Sequence, residues 1–207
     1  MEAWQGLNAF HLNVLKEIGN IGAGNAATAM ASMLNRRIGM TVPRAGVLPL
    51  AEITRLVGHE EDPVACVEFN LSGRAPGKIF LLLTRESAFY LVDFLLGKPP
   101  GTTGALDDMG ISVLTEVGNI LTGSFLNAFA DFCRLEFIPS VPAFAFDMLG
   151  AVLSSAFLEG GYFADRALVI ETQFYDAEVT IKGHFFLIPE GESLNIILEA
   201  LGLGAGP

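Results

Sequence analysis

The sequence predicts an α+β fold of two homologous, pseudosymmetric halves, in which an antiparallel or mixed sheet is flanked by long helices. Three observations predict it. A short motif recurs, each copy lies in a run of helical apolar spacing, and several strand-like runs follow each copy without the regular βα alternation of a doubly wound sheet. Lys16-Glu17-Ile18-Gly19-Asn20-Ile21 and Thr115-Glu116-Val117-Gly118-Asn119-Ile120 align at a constant offset of 99, and Pro43 and Pro142 keep the same offset.

Further along, Gly77-Lys78-Ile79-Phe80-Leu81-Leu82 resembles Gly183-His184-Phe185-Phe186-Leu187-Ile188 at an offset of 106. The second half is therefore longer by seven residues (106 less 99) between Pro142 and Gly183, most naturally around Met148 to Arg166. Lys98-Pro99-Pro100-Gly101 supplies the breakers at the junction, giving one domain over 1–207 with repeat one at about 1–104 and repeat two at about 105–207.

A first helix is expected over Asn8 to Asn35, then strands at Ile38 to Leu48, Pro63 to Leu71 and Lys78 to Thr84, then a helix closing the half. The second half repeats this with a helix at Asp107 to Phe132, strands at Leu135 to Phe146, Ala167 to Phe174 and Val179 to Ile188, and a closing helix. Met148 to Phe157 reads as a further helix, buried on its apolar content, with a protein-docking patch as the alternative.

Composition excludes several classes. At 51% apolar and 17% charged residues the chain is neither disordered nor low in complexity. A net charge of −11 opposes nucleic acid and anionic membrane and favours a basic protein face as partner. No leading segment has the form of a signal peptide, and the apolar stretch Ala143 to Phe157 is broken by Asp147 and too short to span a bilayer, so a cytoplasmic protein without a membrane span is expected. Cys66 and Cys133 lie outside any metal or disulfide spacing and read as free thiols. His11, His59 and His184 share no ligand spacing and read as structural, at the surface or half-buried. Trp4 is expected to pack the N-terminus, and phenylalanines such as Phe80, Phe94, Phe125, Phe129, Phe144 and Phe185 to fill a dense core. Gly22-Ala23-Gly24-Asn25-Ala26-Ala27 fits a relaxed dinucleotide fingerprint, but the residues before it have helical rather than strand spacing, and nucleotide binding is not expected.

On a helical wheel Asn13, Glu17, Asn20 and Gly24 share one arc, and Val14, Ile18, Ile21 and Gly22 another. Ser112, Glu116, Asn119 and Gly123 repeat the first arc, and Val113, Val117, Ile120 and Leu121 the second. A single exposed Glu and Asn would read as a solvated face. Keeping both twice, beside a glycine that costs about 1 kcal/mol in a helix interior, points to a surface that another backbone approaches closely. A carboxamide is no nucleophile, but it can donate and accept hydrogen bonds and so hold a water in line with phosphorus. A carboxylate one turn away can pair with a lysine of the target.

These residues resemble the CheC, CheX and FliY group of chemotaxis phosphatases, whose signature is Asp or Ser, three residues, Glu, two residues, Asn, twenty-two residues, Pro. Ser112, Glu116, Asn119 and Pro142 match all four places; Glu17, Asn20 and Pro43 match three, with Asn13 where Asp or Ser is usual. The resemblance implies hydrolysis of the aspartyl phosphate of CheY, with Asn20 and Asn119 orienting the water and Glu17 and Glu116 docking the receiver lysine. It also implies two intertwined halves, no cofactor on this chain, Mg²⁺ on the receiver, and CheD, a receptor deamidase, as a second partner. A non-catalytic adaptor that binds CheY or CheD is the alternative reading. The internal repeat supplies two-fold symmetry within one chain, so a monomer is expected.

Overall fold

The computed structural model describes residues 9–34, 38–158, 166–175 and 180–202; Trp4, the helix limits Asn8 and Asn35, Val179 and the part of the expected insertion from 159 to 165 lie outside them. Helix α1 (Ala9–Leu34) leads into strand β1 (Gly39–Pro49), short helix α2 (Leu50–Val57), the hairpin β2 (Pro63–Gly73) and β3 (Gly77–Thr84), and helix α3 (Arg85–Leu95). The second half runs α4 (Asp108–Cys133), β4 (Phe137–Pro139), β5 (Ala143–Met148), α5 (Leu149–Leu158), β6 (Arg166–Tyr175), β7 (Thr180–Pro189) and α6 (Ser193–Ala200).

Local chemistry sets these limits. Thr84 caps α3 by accepting from the Ser87 N–H, and Asp107 caps α4 by accepting from the Gly110 N–H at 2.8 Å. Gly97 and Arg134 adopt left-handed conformations just beyond α3 and at the end of α4. The junction between the halves is fixed by Asp93, which is buried and accepts from the Thr102 and Thr103 N–H groups and from the Thr103 hydroxyl. Burial pushes its carboxyl up, but these bonds outweigh it and hold the group below the usual carboxylate range.

Among the described residues the sheet is seven-stranded and antiparallel, in the order β1-β6-β7-β3-β2-β4, with β5 continuing the edge of β2 beside β4. Each half's first strand therefore pairs with the other half: β1 joins β6, and β4 and β5 join β2. The order reads the same from either edge about the β7–β3 pairing, a two-fold relation between the halves.

Central strand β3 is buried on both faces and shows how the core divides. Ile79, Leu81 and Leu83 join the larger cluster under α1, α4 and α3, while Phe80 and Leu82 join a second cluster with Ile53 and Val57 of α2 and Leu149, Val152 and Leu153 of α5. Burial of Leu149, Val152 and Leu153 agrees with the interior reading of that segment. The α+β class stands, with three corrections. Leu135 to Phe146 is two short strands, because Val141 and Pro142 leave the pairing with β2. Helix α2 is the first-half counterpart of α5, so that region does not belong to the second half alone. Among the described residues α4 has the length and composition for a bilayer span, a candidate that the reading of Ala143 to Phe157 as too short passed over, but its apolar side packs into the core, where Phe125 meets Gly22 of α1 and Val67 of β2 meets Gly118.

Candidate functional site

Asn13, Glu17 and Asn20 rise from α1, and Ser112, Glu116 and Asn119 from α4, at spacings that place each set on one strip of its helix. Glu17 and Glu116 are exposed, as are Asn13 and Ser112, and neither Glu has an ion-pair partner among the described residues. Each strip stands off the core because the helix buries its opposite side closely. A Cβ on Gly19 would touch Val42 and Ile170, one on Gly22 would lie 2.5 Å from Phe125 Cδ1, and one on Gly118 would lie 2.7 Å from Val67 Cγ1. Gly24 and Gly123, next along the strips, have nothing within 4 Å of that position, which leaves the space a partner's backbone would need.

The two strips are not equivalent. Asn20 is half-buried, and its Oδ1 accepts from the Val42 N–H of β1 at 3.2 Å; Asn119 is exposed and has no corresponding bond among the described residues. Val42 is 2% exposed, whereas Val141, which matches it at the repeat offset, is 86% exposed. This corrects the helical wheel, which turns Asn20 fully to solvent and Ile21 to the core; Ile21 is 37% exposed. The wheel treats a helix as if one side met solvent, and β1 crosses beside Asn20 on that side.

Pro43 and Pro142 follow the same residues in both halves but end in different settings. Pro43 is exposed within β1; Pro142 is half-buried in the break between β4 and β5. No hydrogen bond or ion pair links the first strip to the second among the described residues, so each strip is a separate candidate site. The glycine-rich stretch Gly22 to Ala27 lies inside α1, without the strand and turn that a dinucleotide would require. Cys66 and Cys133 are free and buried, and burial pushes both thiols up. His184 is fully buried, against the expectation of a surface or half-buried place. Among the described residues no three His, Cys, Asp or Glu side chains gather as a metal site.

A model of the CheC-like family matches residues 10–47 and 109–145, the stretches that contain both motifs and their prolines. Over 206 residues the chain is 36% identical to the CheY-P phosphatase CheC of Bacillus subtilis, covering 98% of this chain and 99% of that one. The chain belongs to the CheC-like family. This CheC-like protein is also 27% identical to the flagellar motor switch phosphatase FliY of B. subtilis, over 57% of its own length and 31% of that relative's. Its fold is that of Thermotoga maritima FliY, with a TM-score of 0.74 at 18% identity across 95% of this chain and 98% of that one. The CheC-like fold thus presents a Glu and an Asn at helical i, i+3 spacing on each of its two long helices.

Proposed function

We propose that this CheC-like protein hydrolyses the aspartyl phosphate of a CheY-type response regulator in the cytoplasm, acting as a monomer with two sites. The observation that carries the reading is the paired display of Glu17 with Asn20 and Glu116 with Asn119, in a chain 36% identical over nearly its whole length to a CheY-P phosphatase. In each site the carboxamide holds a water in line with phosphorus. The water oxygen attacks, the bond between phosphorus and the aspartate oxygen breaks, and inorganic phosphate leaves with the released proton going to solvent.

Mg²⁺ and the phosphoaspartate belong to the receiver in this reading. The exposed carboxylates of Glu17 and Glu116 meet the receiver lysine, and the net charge of −11 favours encounter with a locally basic face. CheD is a second partner on the same reading.

The test is the decay of phosphorylated CheY-type receiver with Mg²⁺ in the presence of wild type, Asn20→Ala, Asn119→Ala and the double variant. Acceleration by wild type, retained in part by each single variant and lost in the double, is expected. Undiminished acceleration by a folded double variant would remove both asparagines from the mechanism, and binding without acceleration by wild type would favour the adaptor reading.

A further inference from the structure

The Val42 N–H that Asn20 accepts lies on β1, an edge strand of the sheet, at a local fault in its pairing with β6. Thr41 faces Gln173 and Arg44 faces Glu171, so Val42 and Pro43 together stand opposite Thr172 alone. Two residues against one is a β-bulge, and Pro43 sits in it as a residue with no N–H to give to β6. At this bulge the Val42 N–H meets Asn20 Oδ1 of α1 at 3.2 Å. A backbone N–H only donates, so the atom it meets must be the carboxamide oxygen, and the orientation of the amide follows from chemistry. With Oδ1 occupied, Nδ2 is the end of Asn20 left without a partner among the described residues.

The second half has the same excess of one residue but not the brace: Ser140 exchanges hydrogen bonds with Asn70, its N–H donating to the Asn70 carbonyl and its Oγ accepting from the Asn70 N–H, and Val141 and Pro142 then stand opposite Phe69. Val141 is left in solvent, and Asn119 has no backbone brace among the described residues.

We propose that Val42 is a positioning residue for the first site: through the bulge at Pro43 its N–H locks the Asn20 carboxamide with Nδ2 outward, while Asn119 in the second site is unlocked. Site one then offers a pre-oriented pair of N–H donors to the water or phosphoryl oxygens, and site two orders its carboxamide only on binding. The kinetic consequence rests on the phosphatase reading; the lock itself does not.

Native-state amide exchange tests the lock without any assay of activity. Val42 N–H is expected to be protected in wild type, about 10-fold or more less so in Asn20→Ala, and again protected in Asn20→Asp, which keeps the accepting oxygen. Val141 N–H is expected to exchange fast in all three. Equal protection of Val42 in wild type and Asn20→Ala would overturn the proposal, as would protection of Val141 that depends on Asn119. In an Asn119→Ala background, Pro43→Ala is expected to lower kcat for the phosphorylated receiver several-fold at unchanged KM. An unchanged kcat, with Val42 deprotected by the same substitution, would overturn the positioning role and leave the phosphatase reading intact. A wild type without phosphatase activity would overturn the phosphatase reading, and the exchange data would still decide the lock.

Discussion

His184 shows what one substitution between the halves does to a buried position. The repeat sets it where Lys78 stands in β3, and Lys78 Nζ bonds Glu68 Oε1 at 2.8 Å. Glu68 faces Phe80 across the β2–β3 ladder, whereas Val169 holds the corresponding place opposite Phe186; Glu171 faces His184 directly, but no ion pair joins the two among the described residues. Its ring is 5% exposed, lies against Phe186, and leaves Nδ1 without a hydrogen-bond partner among the described residues. Burial, then the charge of Lys182, pushes its pKa down to about 4. The unfolded chain takes up a proton near pH 6.5 that the folded chain refuses, so stability is lost as pH falls from about 6.5 toward 4. The effect is on the order of 3 kcal/mol. Chemical denaturation of wild type and His184→Phe across that range is expected to give curves that diverge below pH 6.5, with wild type losing more; parallel curves would exclude His184 as the source.

At the scale of elements, neighbouring glycines of α1 serve opposite needs. Gly22→Ala would place a Cβ 2.5 Å from Phe125 Cδ1 and 3.0 Å from its Cα, so α1 and α4 must separate, at a cost of about 1–3 kcal/mol. Gly24→Ala meets nothing within 4 Å, and its helix propensity is expected to stabilise the fold by about 1 kcal/mol. Thermal unfolding checks both signs. In the Asn119→Ala background Gly24→Ala is expected to raise KM for the phosphorylated receiver several-fold, since the added methyl stands where the partner docks; an unchanged KM would place docking elsewhere. Motif and periodicity made both long helices legible, because their signals are local. The break at Ser140 to Pro142 was signalled by Pro139 and Pro142, yet the apolar run around them masks it. Helix α2 was not legible: its residues follow Pro49 as a short run whose helical shape depends on Ile53 and Val57 finding the far face of the sheet.

For the whole molecule, the repeat boundary near Gly104 is a boundary in sequence and not in space. Cutting there would separate β1 from β6 and β2 from β4 and β5. Fragments 1–104 and 105–207 are each expected to lack cooperative thermal unfolding as monomers and to regain it when mixed, read by circular dichroism; a monomeric half that unfolds cooperatively would contradict the interlaced pairing. The sequence by itself determined the duplication, the two long helices, the α+β class and the candidate residues Glu17, Asn20, Glu116 and Asn119, since all of these follow from spacing along the chain. Tertiary structure alone decided which strands the halves exchange, that Lys78 and His184 have different neighbours, and that Asn20 is braced while Asn119 is not. Those outcomes depend on which segments the sheet brings together, and pairing between segments far apart in the chain leaves no mark in local sequence.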